Sequence, residues 1–263
     1  MKKRALRKDF YMEIRKSLGR FLSIFFIVAL GVSFFSGIRA SEPDMRISGD
    51  AYFDEKNLMD IKVISTMGLT KDDLHAIEGI SDVAKAEGGF SQDMLLNIDD
   101  NQKVLHVMSI PESMNELTVS EGRMPEKGGE CLVDIDFLEG TSYRIGDTIT
   151  LTREDSGILE VKEFKIVGTG SSPSYISFGR GSSLIGTGTV SGFLAVTDEN
   201  FSPDTYTEIY VKAAGAKEET AFTEGYQKKV DHVIDEIEKI TDARCEARKQ
   251  SLAADANKEI DKA

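Results

Sequence analysis

Side chains that could carry out chemistry are few and are widely separated along the sequence. Zinc sites commonly place histidine and cysteine ligands at short, characteristic spacings. His75, His106 and His232 lie in unrelated segments, and none has such a neighbour. Cys131 and Cys245 are too few for a disulfide scaffold, so free or buried thiols are favoured over one long bridge. The sequence therefore predicts no metal site and no catalytic histidine.

Two further patterns suggest chemistry but lack the surrounding residues that it would need. Asp134 and Asp136 would share one face of a strand, as an acid–base pair can, although a solvated strand face is the simpler interpretation. Gly168-x-Gly170 does not continue as the phosphate-binding G-x-G-x-x-G loop, and no G-x-x-x-x-G-K-[ST] motif occurs. We therefore expect no catalytic or cofactor-binding residue and predict that the chain is not an enzyme.

Charge is distributed unevenly along the 263 residues. Residues 1–20 contain eight basic and two acidic side chains, a net charge of +6. Residues 40–263, by contrast, have a net charge of −20. A body this acidic would repel a phosphate backbone, so we expect no nucleic-acid partner.

Residues 21–38 form an uncharged, apolar stretch between Arg20 and Arg39. As a transmembrane helix they would be about 27 Å long, close to the ~30 Å hydrocarbon core of a bilayer, and the flanking arginines can reach the head groups. The basic residues before the stretch predict a cytoplasmic N-terminus and an extracytoplasmic body in the cell membrane. A cleaved signal peptide is the alternative, but its core is shorter, and cleavage after Ala40 would place Ile38 where a small side chain is needed.

Two features of residues 1–38 predict which molecules contact them, a second helix in one case and membrane lipid in the other. Ala29, Ser33 and Gly37 are spaced four apart, so on a helix they form one face of small residues that a second helix can approach closely. Chance is the alternative, because glycine and serine are common in membrane spans. Residues 1–20 combine basic and apolar side chains at helical spacing, which predicts a cytoplasmic amphipathic elbow lying against membrane lipid.

Residues 39–215 have the pattern of an extracytoplasmic α+β domain, a sheet covered by a helix. Thr70 is a candidate N-cap for a short amphipathic helix that ends near Gly79. Turns are predicted at Gly88-Gly89 and at residues 99–101, and hairpins with one solvated face after Gly128. Apolar runs predict strands at residues 61–64, 83–86, 93–98, 104–110, 131–137, 148–152, 158–167, 193–196 and 208–211.

Residues 168–192 and 216–263 depart from this pattern. The first segment is rich in glycine and serine and too long for an ordinary loop, so it is either a mobile functional surface or a packed set of turns and short strands. The second segment predicts the start of a long coiled-coil helix, truncated at the end of the sequence, because its apolar residues follow a 4-3-4-3 spacing. These residues are Tyr226, Val230, Val233, Ile237 and Ile240.

Several stretches of the sequence resemble permeases of the FtsX/MacB-like ABC transporter family, in the type found in Gram-positive bacteria. Residues 8–38 look like the cytoplasmic elbow and first membrane helix of that family. EGRMPEKGGECLVD, YRIGDTITL and FKIVGTGSSPSYIS are similar to its extracytoplasmic domain, with "G-R-x-P … G-E" and then "G-D-x-I". RGSSLIGTGTVSGFLAV and FSPDTYTEIYV resemble the continuation of that domain, and the helical tail is similar to the coiled-coil insertion of some members.

The resemblance implies an extracytoplasmic domain like the periplasmic core of MacB. It also implies a separate ABC ATPase subunit, whose ATP-driven motion at the cytoplasmic face would reshape the outer domain for export or mechanotransmission. The single membrane helix would then pack against the remaining permease helices or a second permease copy, and the absence of the family's later three-helix block makes us expect a fragment. A single-pass cell-surface protein for binding or adhesion, or a sensor, is the alternative function.

Overall fold

The computed structural model describes residues 2–98, 101–152, 157–177, 179–202 and 205–262. The chain forms two compact units, Met1–Gly49 and Asp50–Ala263. Its helices and strands confirm the α+β class. In chain order they are α1 (Lys2–Glu55), β1 (Ile61–Leu69), α2 (Lys71–Glu78), β2 (Val83–Gly89), β3 (Ser91–Ile98), β4 (Asn101–Ser109), β5 (Thr118–Gly122), β6 (Glu130–Asp134), α3 (Ile135–Glu139), β7 (Thr148–Thr150), β8 (Glu163–Ser171), β9 (Val190–Val196), β10 (Tyr206–Ala213) and α4 (Glu224–Lys262).

The first unit contains helix α1 up to Gly49, and this helix confirms the predicted apolar N-terminal helix. This helix is long and apolar enough to cross a membrane, and none of its most apolar stretch is buried within the chain. The predicted elbow is not a separate element, because α1 passes Arg20 without a break. The helix also passes Arg39 and includes Pro43. Its continuation beyond residue 38 was missed because the apolar pattern ends there, although polar residues carry on the helix.

The second unit contains a small antiparallel sheet with the strand order β1-β10-β2. Helix α2 begins as predicted at Thr70, whose hydroxyl accepts a hydrogen bond from the Asp73 amide at 3.2 Å. The Asp73 carboxylate in turn accepts one from the Thr70 amide at 2.6 Å, which completes a capping box. The helix ends at Gly79, also as predicted.

Helix α4 covers the same small sheet. The apolar residues at 4-3-4-3 spacing pack with Ile209 and Val211 of β10, in a core shared with Ile77 of α2. This stripe is therefore buried against the chain's own sheet, whereas a coiled coil would bury it against another long helix. The helix begins at Glu224 inside the unit Asp50–Ala263, so the division expected at residues 215 and 216 does not separate two compact units.

A larger mixed sheet has the strand order β3-β4-β9-β6-β8-β5, and β7 also pairs with β8. Every residue of β6 is buried, and this strand runs parallel to β8. The hairpins with one solvated face predicted after Gly128 are therefore wrong here, because buried parallel strands show no alternation. The strand predicted through Phe137 ends at Asp134, which caps α3. The main core of this sheet includes Met94, Leu105, Val133, Phe164, Ile166 and Leu194.

Candidate functional site

The predicted membrane-flanking residues lie on α1 in the first unit. The Arg39 guanidinium lies over the Phe35 ring, 5.8 Å from its centroid, and forms a cation–π contact with it. Between Arg20 and Arg39 the helix exposes large apolar side chains around its circumference. They include Phe21, Ile24, Phe25, Phe26, Ile27, Leu30, Phe34, Phe35 and Ile38.

The face of small residues on α1 is open within the first unit. Ser33 and Gly37 are exposed, and Ala29 is half-buried. Apart from the adjoining residues and the backbone of its own helix turn, a Cβ atom added at Gly37 would meet no atom of the chain within 4 Å. Close helix packing through these three residues therefore stays a prediction about a helix outside the described part of this chain.

The glycine- and serine-rich segment, residues 168–192, is held to the larger sheet by Arg180. Its guanidinium donates to both Asp134 carboxylate oxygens, at 2.6 and 3.0 Å, and to Asp136 Oδ2 at 2.5 Å. These bonds raise the pKa of Arg180, with the hydrogen bond to Asp134 contributing most. The Arg180 side chain is only 8% exposed and that of Asp134 only 1%, so this is a buried ion pair.

Arg180 was not singled out from the sequence, although one signal was available. It is the only charged residue between positions 168 and 192, in a segment otherwise made of small and apolar residues. A lone charge in such a segment needs a partner if the segment packs. Asp134 and Asp136 both accept hydrogen bonds from Arg180. The prediction that they share one solvated strand face is wrong, because Asp134 is buried at the end of β6 and Asp136 lies in α3.

Aromatic packing adds to this attachment. The Tyr175 ring stacks on Phe193 of β9, with centroids 5.5 Å apart and planes 10° apart. Burial, the largest cause, raises the pKa of the Tyr175 hydroxyl. The Arg180 guanidinium lies 5.9 Å from the centroid of the same ring. These contacts favour the packed interpretation of the segment over the mobile one.

His106, Asp93 and Ser183 are close together, but their order is not that of a catalytic triad. Asp93 is in the middle: its Oδ1 lies 2.7 Å from His106 Nδ1, and its Oδ2 accepts a hydrogen bond from the Ser183 hydroxyl at 2.6 Å. In a triad the histidine lies between the serine and the carboxylate and removes the serine proton. The Ser183 hydroxyl instead donates its hydrogen bond to the Asp93 carboxylate, and this bond attaches the glycine- and serine-rich segment to β3.

The motif "G-R-x-P … G-E" also has a structural explanation. Arg123 and Glu130 form a two-point ion pair, with Nη1–Oε2 at 2.8 Å and Nη2–Oε1 at 2.7 Å. Gly122 has a φ of +80°, and a Cβ there would press on the Val167 carbonyl of β8. These residues fix the β5–β6 connection, and neither the sequence nor the geometry gives them a ligand.

The other residues considered for chemistry are dispersed. His75 lies on α2, while His232 on α4 is 3.1 Å from the Asp82 carboxylate. Cys131 and Cys245 are both free thiols, as favoured from the sequence. Within the described residues, no group of three histidine, cysteine or acidic side chains is arranged to hold a metal ion. Gly168 and Gly170 lie in β8, where side chains would press on the backbone of β5 and the residues beside it.

Comparisons with known proteins yield similar structures only. No family model matches the sequence, and no curated protein matches it. The extracellular domain of YknZ, a noncanonic ABC-type transporter from Gram-positive bacteria, is 11% identical, with a TM-score of 0.38 over 63% of this chain and 80% of that one. The periplasmic region of MacB from Actinobacillus actinomycetemcomitans is 11% identical, with a TM-score of 0.37 over 66% of this chain and 75% of that one. At these TM-scores neither likeness carries an argument about function.

Proposed function

We propose that the chain belongs to the permease subunit of an FtsX/MacB-type ABC transporter. In this proposal residues 21–38 anchor it in the cell membrane, and a separate ATPase subunit supplies the energy. The observation that carries the proposal is the uncharged stretch of α1, which exposes apolar side chains on every face between two arginines. The sequence resemblance described above supplies the transporter class.

The physical reason for a membrane location is the cost of leaving this surface in water. Each large apolar side chain that moves from water into hydrocarbon stabilises the system by roughly 1.5–3 kcal/mol. Nothing within the first unit covers these side chains. A helix also satisfies its own backbone hydrogen bonds, which hydrocarbon requires. A bilayer, with partner helices on the face of small residues, is the environment that fits this stretch.

The charge distribution supports one orientation. A net charge of +6 before the span favours the cytoplasmic side, and the acidic body then lies outside the cell. The basic residues 1–20 would meet the ATPase at the inner face. Nucleotide-driven motion does work on the outer unit only if two arrangements of the complex differ in their affinity for nucleotide. The chain itself catalyses no reaction in this proposal, because ATP hydrolysis belongs to the partner.

Thiol labelling in intact cells tests the orientation. In a Cys245→Ser background, Ser120→Cys should react with a membrane-impermeant maleimide, whereas Lys8→Cys should react only after the membrane is opened. Ser120 is exposed on β5. Labelling of Lys8→Cys but not of Ser120→Cys in intact cells would refute the proposed topology.

Association with an ATPase separates the permease from a surface adhesin or sensor. The chain purified from membranes in nanodiscs should carry an ABC ATPase whose hydrolysis rate depends on the chain. Arg15→Gln combined with Lys16→Gln should release the ATPase, with the Ser120→Cys label confirming that the orientation is kept. Lys103→Gln with Lys165→Gln, two exposed lysines of the second unit, is the matched control. Self-association of the chain without any ATPase would favour the adhesin.

A further inference from the structure

The second unit contains an apolar groove between strand β1 and helices α2 and α4. Its cavity volume is about 110 Å³. Ile77 and Ile237 in it are buried, 4% and 8% exposed, whereas Ile64 on its rim is 72% exposed. The groove is therefore open to solvent along one side. Its apolar lining includes Val63, Ile64, Leu69, Ile77, Ile237 and Ile240.

The size of the groove limits what can enter it. For comparison, a closed cavity of about 150 Å³ that is lined by leucine, isoleucine and phenylalanine stays dry and accepts benzene. A groove of about 110 Å³ is thus suited to a narrow alkyl chain whose remainder lies along the open side.

Two arginines of α4 also line the groove, and they differ in their partners. Arg244 Nε lies 2.6 Å from Asp73 Oδ1, so a carboxylate of the chain compensates its charge. Arg248 Nε donates to the Met67 carbonyl at 2.9 Å. Among the described residues no carboxylate forms an ion pair with Arg248, although residues 40–263 are strongly acidic overall. One guanidinium with free Nη donors therefore lies beside an apolar groove.

We propose that this groove binds a single-chain alkyl carboxylate, the anion of a medium-chain fatty acid. The alkyl chain lies against the isoleucines, and the carboxylate accepts hydrogen bonds from the Nη atoms of Arg248, whose planar fork matches a carboxylate. An uncharged alkane would contact the apolar lining but would leave the Arg248 guanidinium without an anionic partner. A small anion would bind the guanidinium but would leave the apolar lining uncovered. The proposal concerns the second unit alone and goes beyond the transporter function proposed above.

Cys245 provides a reporter inside the site. It lines the groove and is half-buried, so a bound ligand would shield its thiol. Cys131 is fully buried in β6, and burial raises the pKa of its thiol, so it stays unreactive while the chain is folded. The labelling rate of the folded chain therefore reports Cys245, and Cys245→Ser should abolish the signal.

The experiment measures the rate of N-ethylmaleimide labelling of the full chain in phospholipid nanodiscs, which avoids detergent in the groove. Octanoate should slow labelling, and acetate should have no effect. 1-Octanol and octyltrimethylammonium, which carry the same chain without the negative charge, should need about tenfold higher concentrations, the worth of a charge-assisted hydrogen bond. Equal protection by octanoate and 1-octanol would overturn the proposal, as would protection by acetyl-trileucine amide but not by octanoate.

Three variants locate the binding. Arg248→Gln should weaken octanoate protection about tenfold and leave 1-octanol unchanged. Lys249→Gln removes the same charge from the neighbouring, exposed position and should change neither. Thr241→Met extends a side chain into the groove and should abolish protection by both alcohol and acid. Unchanged octanoate protection in Arg248→Gln or in Thr241→Met, with thermal unfolding like that of the wild type, would show that octanoate binds elsewhere.

Discussion

Arg180 and Asp134 form a two-point ion pair, with Nε–Oδ2 at 2.6 Å and Nη2–Oδ1 at 3.0 Å. Asp134 ends β6 within the larger sheet, and Arg180 belongs to the glycine- and serine-rich segment. The glycine- and serine-rich composition of this segment favours backbone freedom. The segment is nevertheless attached to the sheet by the Arg180–Asp134 ion pair, which is almost excluded from water. Removing either partner would leave the other charge buried and uncompensated.

Arg180→Gln should therefore destabilise the second unit by about 3 kcal/mol, the usual cost of breaking a buried pair. Thermal unfolding followed by circular dichroism measures this loss. Limited proteolysis of the variant should begin between Ser171 and Gly192, whereas wild type should be cut elsewhere first. Arg144→Gln, which removes an exposed arginine, is the matched control and should change neither result. Early cleavage of wild type within 171–192 would mean that the ion pair does not hold the segment.

The ion pair between Arg123 and Glu130 predicts how stability changes with pH. The hydrogen bonds from Arg123, the largest cause, lower the pKa of Glu130 to about 2, from an ordinary value of 4.5. A carboxyl with a depressed pKa in the folded state stabilises the fold above pH 4.5, and this contribution is lost as pH falls towards 2. Glu130→Gln should therefore lower the midpoint of thermal unfolding at pH 6 and flatten its decline over this acid range.

The control for this experiment is Glu163→Gln, which changes an exposed glutamate on β8. It should retain the acid dependence of the wild type. An acid decline of equal steepness in Glu130→Gln and wild type would show that this carboxyl does not contribute to acid unfolding.

Local signals in the sequence predicted the elements that depend on local physics. Helix α2 begins after Thr70 and ends at Gly79, as expected, because a helix cap depends on residues within one turn of it. Gly88 and Gly89 were predicted as a turn, yet they lie inside β2, where the rings of Tyr206 and Tyr210 occupy the space of a side chain. Those tyrosines are more than a hundred residues away, so the constraint is not visible in the local sequence.

The candidate sites also include some that local sequence signals predict and others that only the folded chain brings together. The apolar stretch with its flanking arginines is a local property and was predicted. The partners of Arg180 were not, because only the folded sheet brings β6 beside residues 168–192. The apolar 4-3-4-3 stripe of α4 was predicted from the sequence, but the element that buries it was not. The small sheet covers this stripe, whereas the sequence analysis expected another helix. A stripe of this spacing predicts that one helix face is buried and does not say whether a helix or a sheet buries it.

The packing of α4 predicts different effects from truncating two of its apolar side chains. Ile237→Ala should destabilise the second unit by about 3 kcal/mol, because Ile237 is 8% exposed and packs on the small sheet. Leu252→Ala, at a position that is 40% exposed, should cost less than about 0.5 kcal/mol. Thermal unfolding of both variants tests this difference. If Leu252→Ala were as destabilising as Ile237→Ala, the distal part of α4 would also be buried, as in a coiled coil with another chain.

The face of small residues on α1 gives the sharpest test of assembly. Within the first unit Ser33 is exposed, and a side chain at Gly37 would meet nothing. Ser33→Leu and Gly37→Ile should therefore leave the isolated chain folded and still inserted in the membrane. In the proposed complex, a second helix that approaches this face would be pushed away by the larger side chains, because only small residues allow the two backbones to come close.

Under the permease function proposed above, the chain would be reconstituted in nanodiscs with the remaining permease helices and an ABC ATPase, and both variants should lower the coupling of ATP hydrolysis to transport by about tenfold, which corresponds to roughly 1.4 kcal/mol. Val32→Leu and Phe34→Leu change neighbouring positions on other faces of α1 and should keep wild-type coupling. Comparing hydrolysis and transport rates in the same preparation separates lost coupling from lost assembly. Wild-type coupling in both Ser33→Leu and Gly37→Ile would show that no helix packs closely against this face, and the small residues would then be a chance feature of the span.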